Sequence, residues 1–257
     1  GGKSMGNQES DKLTKKYHSE PWVRKLNDLG DIVAAACLCH DLGNPPFGHS
    51  GEETISSYFK EGLGKELESQ IPEYQWSDLI AFEGNANAFR QLTHQFAGRR
   101  QGGMSLTYAT LATLIKYPYP SFNKKGKKKY NIFHSEIDTF KKVMDGCGII
   151  CLDEESLVYA RHPLSYMMEA ADDICYLILD MEDAHKRGIV TTEKIDHFFT
   201  SFFKENETWF FNRKDDILGA LQTMLIAIQN INFTDTTVLN RWIEKISNSK
   251  TVFDGYN

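Results

Sequence analysis

Two adjacent side chains, His40 and Asp41, are of types that bind metal ions. They end a nearly all-apolar stretch that begins at Asp31. An ionised carboxylate is costly in such surroundings unless it is paired or bound to a metal ion. A lone His-Asp dipeptide indicates little by itself; the residues around it decide whether it can bind a metal ion.

The turn that follows this pair is unusually constrained. Pro45 and Pro46 forbid a continuing helix because proline lacks an amide hydrogen and clashes with the preceding turn. Gly43 favours a tight bend, and Gly48 and Gly51 leave backbone uncovered near a small ligand. This pattern is typical of a rigid loop at a binding site.

His49 and Glu52 are three positions apart at the start of the next predicted helix, so they share one face of it. A carboxylate beside an imidazole orients the ring and raises its basicity, which suits a general acid near neutral pH. The alternative is a capped helix start with an ordinary surface His–Glu pair. That alternative accounts for both residues but leaves the position of Asp41 unexplained.

A second acidic segment offers further ligand-type side chains. Asp172, Tyr176 and Asp180 fall at positions i, i+4 and i+8 of a long apolar helix, which places them in one stripe along one side. Such a stripe makes a poor core and a good ligand surface. The adjacent Asp173 lies off the stripe, so Asp172 is the stronger ligand candidate.

Helices must position these groups, because helical periodicity dominates the chain and alternating β-branched runs are rare. The predicted helices cover residues 31–40, about 49–60, 86–95, 105–116, 164–186, 217–229 and 238–247. No internal repeat or linker divides the chain. The sequence therefore predicts an all-α fold in which residues 1–257 form one helical domain, with its core motifs between residues 31 and 188.

Composition narrows the functional classes. The net charge is −6, so nucleic acid could be bound only by a local basic patch. No apolar run approaches the roughly 18 residues that a membrane span needs. The five cysteines lack a repeated CxxC spacing, which favours free thiols in a reducing cytoplasm over disulfides or structural zinc.

The stretch from His40 to Glu52 resembles the deoxyguanosinetriphosphate triphosphohydrolases, the dNTP-cleaving branch of the HD-domain phosphohydrolases. The similarity continues in residues 82–90, 106–118 and 161–166 and in the helix that carries Asp172. These blocks follow one another in the family's order across about 140 residues, which makes the resemblance highly specific. It implies an HD-domain helical bundle.

The resemblance also implies roles for these residues. His40, Asp41 and Asp172 would bind a divalent metal ion, and His49 and Glu52 would form the catalytic pair. Histidine and carboxylate ligands suit Mn, Fe, Ni or Zn better than Mg, although Mg is also compatible.

The remaining implied contacts concern the nucleotide. Tyr176 would pack against the deoxyribose, where a 2′-hydroxyl would clash, and Asp180 would accept the 3′-hydroxyl. Asn44, Asn85 and Lys116 are expected to contact the nucleotide or its phosphates.

The chain departs from the family upstream. The family carries a further metal-binding histidine there, in an Arg-Leu-Thr-His-Ser-type segment, whereas this chain has only His18. His18 is 22 residues before His40, which is short for the family, and Pro21 breaks the helix that the segment should form. His18 is therefore interpreted as a loop histidine, and the chain as a fragment that lacks the first ligand and the C-terminal tail.

The implied reaction is metal-dependent hydrolysis of dGTP or another dNTP to deoxynucleoside and inorganic tripolyphosphate. One alternative is another HD phosphohydrolase, acting on a nucleoside monophosphate or a guanosine alarmone, which need not have the stripe on the long helix. The other is a nucleotide-binding regulatory module with impaired catalysis, supported only by the missing upstream histidine.

Partners are expected from the resemblance and from one loop. The family suggests a homo-oligomer, often a hexamer. The Lys-rich segment 124–129 is either an ordinary solvated loop or a contact for phosphate or single-stranded DNA, where lysines give a salt-dependent attraction. No membrane partner is expected.

Overall fold

The computed structural model, which describes residues 1–98, 102–123 and 129–205, is predominantly helical. The described chain falls into two compact units, one formed by Gly2–Ala170 and the other by Gly1 with the chain from Ala171 onward. The predicted all-α class is confirmed. The predicted helices 217–229 and 238–247 and the lysines within residues 124–128 lie outside the described residues.

The first unit contains seven complete helices among the described residues: α1 (Gly2–Lys16), α2 (Leu29–Cys39), α3 (His49–Lys60), α4 (Glu73–Leu79), α5 (Gly84–Thr93), α6 (Tyr108–Leu114) and α7 (Ile137–Gly146). Short 3-10 segments lie at Pro21–Asp28, Leu63–Leu67, Ser121–Asn123 and His134–Glu136. Two short strands, β1 (Cys151–Asp153) and β2 (Val158–Tyr159), pair antiparallel with Cys151 opposite Tyr159. Helix α8 (Pro163–Lys186) begins in this unit, and α9 (Thr192–Glu205) belongs to the second.

Several helix boundaries differ from the predicted ones for local reasons. Helix α5 ends at Thr93 because His94 has an extended backbone with ψ of 139°. Helix α6 begins only at Tyr108, since the Thr107 hydroxyl accepts the backbone N–H of Thr110 and caps the helix. Helices α1, α4, α7 and α9 and the β1–β2 hairpin have no counterpart in the sequence prediction.

Helix α2, which ends just before His40, is held on two sides. Gly6 of α1 meets Gly30 of α2 so closely that a Cβ at Gly6 would lie 2.7 Å from the Gly30 Cα. Val33 and Ala36 of α2 are fully buried and pack with Leu164 and Met168 of α8. These contacts fix the end of α2 within the first unit.

The largest hydrophobic cluster lies among α5, α6 and α7. Its fully buried members are Phe89, Ala112, Ile115, Ile132, Phe140, Val143 and Met144. Cys39, the last residue of α2, packs against the same cluster. The core therefore anchors the helix end from which His40 projects.

Asp78 of α4 clamps both ends of the segment 121–134. Its Oδ1 accepts the Ser121 hydroxyl at 2.6 Å, and its Oδ2 accepts the His134 backbone N–H at 2.8 Å. The pKa of Asp78 is raised to about 6, mainly by burial and to a smaller extent by the charge of Glu136. The two hydrogen bonds and the nearby His134 act in the opposite direction. The segment between these two anchors carries Lys129.

Among the described residues, no helix combines the length and the apolar character that crossing a membrane requires. All five cysteines are free thiols, as the sequence predicts, and each is half-buried.

The clamp at Asp78 predicts a pH dependence of stability. Its pKa in the folded state, about 6, lies above the ordinary value of 3.8, so the folded chain keeps a proton that the unfolded chain releases. The contribution of Asp78 to the free energy of unfolding is therefore complete below pH 4 and falls as the pH rises through 6, by on the order of 3 kcal/mol.

Asp78→Asn has no proton to release, so the difference in stability between wild type and Asp78→Asn should shrink from pH 4 to pH 7. Urea unfolding across this range measures the difference, with the exposed Asp138→Asn as control. Parallel pH profiles for wild type and Asp78→Asn would contradict the assignment.

Candidate active site

His40 is oriented by the helix that it follows. Its Nδ1 lies 2.7 Å from the Cys37 carbonyl oxygen, which places the ring proton on Nδ1 and leaves the lone pair on Nε2. That Nε2 lies 3.3 Å from Oδ2 of Asp41. The His40 side chain is 11% exposed and that of Asp41 is 67% exposed, so the two groups meet at the surface. An imidazole lone pair beside a carboxylate oxygen is a donor set that a divalent metal ion takes.

Asn44 fixes the other carboxylate oxygen. Its Nδ2 donates to Oδ1 of Asp41 at 2.9 Å, and its backbone N–H donates to the Asp41 carbonyl at 3.1 Å. The side chain predicted to contact a nucleotide is therefore used, in this structure, to orient the carboxylate beside His40.

The 40–44 turn lies directly on the backbone of α5. A Cβ at Gly43 would overlap the Ala88 nitrogen and the Gly84 carbonyl oxygen, so only glycine fits at this position. The Gly43 carbonyl accepts the side-chain amide of Asn87 at 2.9 Å. The expected tight bend is present, and its tightness follows from backbone-to-backbone contact.

Two residues with positive φ lead into α3. Gly48, the N-terminal flanking residue, has φ of 54° and ψ of −126°, a conformation that side chains disfavour. Phe47 has φ of 67° and is 91% exposed. This turn starts α3 at His49, as the sequence predicts, and places His49 and Glu52 in its first turn.

Glu52 reaches the start of α5. Its Oε1 accepts the backbone N–H of Gly84 at 2.7 Å, where the positive end of the helix dipole favours a carboxylate. A Cβ at Gly84 would overlap Oδ1 of Asn44 and lie 2.7 Å from Oε1 of Glu52. Gly84 is thus the point at which the His40–Asp41 turn and the Glu52 side chain come together.

His49 has a different partner from the expected one. Its Nε2 lies 3.3 Å from Nζ of Lys129, and since an ammonium group only donates, Nε2 accepts and the ring proton lies on Nδ1. Within the described residues no hydrogen bond joins His49 to Glu52, because the Glu52 carboxylate is turned toward Gly84. The catalytic role of this pair stays a prediction.

A second carboxyl group, that of Glu83, lies beside Glu52. It is 4% exposed, and its Oε1 accepts the Asn85 side-chain amide at 2.6 Å. Burial raises the pKa of Glu83; the hydrogen bonds from Asn85 lower it, the charge of Glu52 raises it and that of Lys129 lowers it. Asn85, another predicted nucleotide contact, therefore has its amide directed at Glu83.

These groups line one open pocket of about 550 Å³, a size typical of small-ligand sites. Its ionisable lining residues are His49, Glu52, Glu53, Lys60, Glu83 and Lys129. The pocket combines a general-acid candidate with two ammonium groups and three carboxyl groups.

The other predicted residues lie elsewhere in the chain. Lys116 is half-buried just after α6 in the first unit. Asp172, Tyr176 and Asp180 belong to the second unit, where α8 is continuous and spaces them at one-turn intervals; Asp172 is half-buried and Tyr176 is 67% exposed. His18 is exposed in the turn after α1 and joins no group of metal-ligand side chains among the described residues.

Comparisons with known proteins decide the family. No protein-family profile matches the chain. The chain is 43% identical over 178 residues to a deoxyguanosinetriphosphate triphosphohydrolase-like protein of Pseudomonas aeruginosa, covering 66% of this chain and 39% of that protein. A similarly named Synechocystis protein is 40% identical over 198 residues, or 73% of this chain and 44% of the relative.

A third relative, the deoxyguanosinetriphosphate triphosphohydrolase of Yersinia pseudotuberculosis, is 33% identical over 220 residues, or 72% of this chain and 41% of the relative. The chain belongs to the deoxyguanosinetriphosphate triphosphohydrolase family. It spans about two fifths of the length of these curated relatives.

Two residues that line this pocket were not singled out from the sequence. Glu83 was not named as a candidate, and Lys129 was included only in the segment 124–129, for which a phosphate contact was left open. Glu83 lies between Phe82 and Gly84 in a block that the resemblance covers. Its charge, beside two uncharged neighbours, was the feature of the sequence that could have identified it. Lys129 ends a run of lysines interpreted as one loop. The buried Tyr130 that follows it marks where the chain re-enters the core.

The junction at Gly84 predicts a specific packing defect in this family member. In Gly84→Ala the added methyl group overlaps Asn44 and presses on Glu52, so the free energy of unfolding should fall by about 1–3 kcal/mol, the usual cost of overpacking. Urea unfolding measures the loss, with the exposed Ser50→Ala as control.

The double variant Asn44→Ala/Gly84→Ala removes one of the two overlapping side chains. Gly84→Ala should therefore lower the free energy of unfolding less when it is introduced into Asn44→Ala than when it is introduced into the wild type. Strict additivity of the two substitutions would show that Asn44 does not meet residue 84.

Proposed function

We propose that this chain carries three metal-binding side chains and the catalytic pair of a dNTP triphosphohydrolase, which hydrolyses dGTP or another dNTP to deoxynucleoside and inorganic tripolyphosphate. The observation that carries the proposal is the junction at Gly84, where the turn bearing His40 and Asp41 and the side chain of Glu52 meet the start of one helix. Family membership supports the substrate class.

The residues present fit a divalent metal ion. The Cys37 carbonyl turns the lone pair of His40 Nε2 toward Oδ2 of Asp41, while Asn44 occupies the other oxygen. Asp172, four residues after Met168 on α8, is proposed as the third ligand. Mn, Fe, Ni and Zn suit this donor set better than Mg. When bound, the metal ion supplies an activated water and polarises the α-phosphate.

His49 is proposed as the general acid. In the present geometry its proton lies on Nδ1. As the ring gives this proton to the departing 5′-oxygen, Nε2 would take a proton from the Lys129 ammonium, so the imidazole stays neutral. Lys129 contacts the opposite ring nitrogen, so it holds the imidazole in this tautomer. Glu52 acts through position, because its bond to the Gly84 N–H ties the first turn of α3 to α5.

The phosphate chain is proposed to lie in the pocket beside His49. Lys60 and Lys129 line it and supply the positive charge that a polyphosphate requires. Glu83, whose pKa is raised by burial, lines the same pocket together with Glu52 and Glu53. Lys116, predicted as a further contact, is proposed to serve the same chain.

The sugar is proposed to lie against the stripe on α8. Tyr176 and Asp180 are both exposed there, so their side chains are available to a ligand. Tyr176 would exclude a 2′-hydroxyl, and Asp180 would accept the 3′-hydroxyl.

We place the reaction in the cytoplasm, where half-buried free thiols persist. A homo-oligomer and a single-stranded DNA contact stay predictions.

Product analysis tests the reaction. With Mn²⁺ and each of the four dNTPs in turn, the protein should release deoxynucleoside and tripolyphosphate in equal amounts. His49→Gln should lower kcat by about 100-fold or more because the leaving oxygen loses its proton donor. Lys129→Met should also lower kcat, whereas the exposed Lys65→Met should leave it unchanged.

The products also separate the alternatives. Orthophosphate or pyrophosphate in place of tripolyphosphate would assign the chain to another kind of HD phosphohydrolase. Bound metal without turnover of any dNTP would favour a regulatory nucleotide-binding module.

Metal binding offers an independent test with a matched pair of variants. Calorimetric titration with Mn²⁺ should show an affinity loss of about 10-fold or more in His40→Ala and in Asp172→Asn, because each removes a ligand. Asp173→Asn, one position away and off the stripe, should bind as the wild type does, and so should His18→Ala. Equal losses in Asp172→Asn and Asp173→Asn would contradict the ligand assignment.

A further inference from the structure

A second pocket lies in the first unit, on the other side of Phe82 from the His49 pocket. Its volume is about 460 Å³, within the range of small-ligand sites. Phe82 lines both pockets. The apolar walls of the second pocket are Leu67, Ile71, Leu79, Phe82 and Phe133.

Asp78 provides the acidic end of this pocket. Its two oxygens accept the Ser121 hydroxyl and the His134 backbone N–H, and each oxygen keeps a further lone pair. Among the described residues no lysine or arginine forms an ion pair with Asp78. The carboxylate is therefore held by a hydroxyl and a backbone N–H in largely apolar surroundings, with the His134 imidazole nearby and no lysine or arginine partner among the described residues.

Arg90, which also lines the pocket, does not supply that counter-charge. Its Nη1 donates to Oε1 of Glu136 at 2.5 Å and to the Ser135 hydroxyl at 2.9 Å. Glu136 is 3% exposed and also accepts the Ser135 hydroxyl. Since Glu136 balances Arg90, the pocket keeps at Asp78 a negative charge that no arginine or lysine among the described residues balances.

We propose that this pocket binds a small organic cation with a flat apolar body, such as an aromatic amidinium, with its N–H donors at Asp78 and its ring against Phe82 and Phe133. An amidinium group presents two parallel N–H donors, which match the remaining lone pairs of a carboxylate. The apolar walls contribute by removing the ring from water.

The proposal carries a pH dependence with a definite sign. The carboxylate must be ionised to attract the cation, and burial holds the pKa of Asp78 at about 6. The ionisable groups that act on Asp78 are His134 and Glu136, the latter paired with Arg90 and 3.9 Å from His94. Affinity should therefore rise about 10-fold from pH 5 to pH 7.5, as Asp78 becomes fully ionised.

Binding of benzamidinium, compared with the neutral isostere benzamide, tests the inference. NMR titration of the protein at pH 7.5 should show benzamidinium bound about 10-fold or more tightly than benzamide, with shifts at the amides of residues 78, 82 and 133. Equal affinity of the two compounds would overturn the proposal, and so would shifts confined to other parts of the chain.

Substitutions test the charge of Asp78 and occupancy of the pocket separately. Asp78→Asn should remove both the preference for the cation and the pH dependence, whereas the exposed Asp138→Asn should keep both. Gln75→Trp, at the exposed rim of the pocket, should block both compounds without touching Asp78, so the test stands even where Asp78→Asn fails to fold. Retention of the cation preference in Asp78→Asn would overturn the proposal, and no readout depends on dNTP hydrolysis.

Discussion

The approach of two backbones, one in the 40–44 turn and one at the start of α5, is the constraint on which the site depends. Gly43 and Gly84 both lie at this approach, and a side chain on either would occupy space that its neighbour needs. The contact sets the distance between the turn and the helix, so the groups attached to each are placed by main chain. Their positions do not rely on flexible side-chain packing, which suits a site that must hold its geometry within fractions of an ångström.

Two carboxyl groups lie near this contact, and they differ in the free energy that their burial costs. Glu52 gains a backbone N–H at a helix start, whereas Glu83 is buried and depends on the amide of Asn85 for its hydrogen bonding. Lys129 lies near both carboxyl groups and touches His49, so one ammonium stabilises the acidic side of the pocket and orients its imidazole. A pocket with this mixture is preorganised, because its donors and acceptors already satisfy one another before a ligand arrives.

The structural features predicted from the sequence are those that residues close together in the chain determine. Prolines and glycines between Gly43 and Gly51 mark the turn and the start of α3, and helical spacing puts Asp172, Tyr176 and Asp180 on one helix. Contacts between distant segments leave no periodic signal, so Lys129 beside His49 and the bond of Glu52 to Gly84 could not be read from spacing. Helix α1 was missed because its polar sequence shows no apolar stripe, and its fit on α2 comes from a glycine contact.

The clamp at Asp78 has a consequence for how such a chain can vary. Because Ser121 and His134 are both anchored on one carboxylate, the two ends of the intervening segment are already brought together. Closing a longer segment between fixed ends costs only about 0.6 kcal/mol for each doubling of its length. Residues can therefore be gained or lost between these anchors at little energetic cost, while Tyr130, whose hydroxyl donates to the Ala81 carbonyl at 2.8 Å, keeps Lys129 in register with His49.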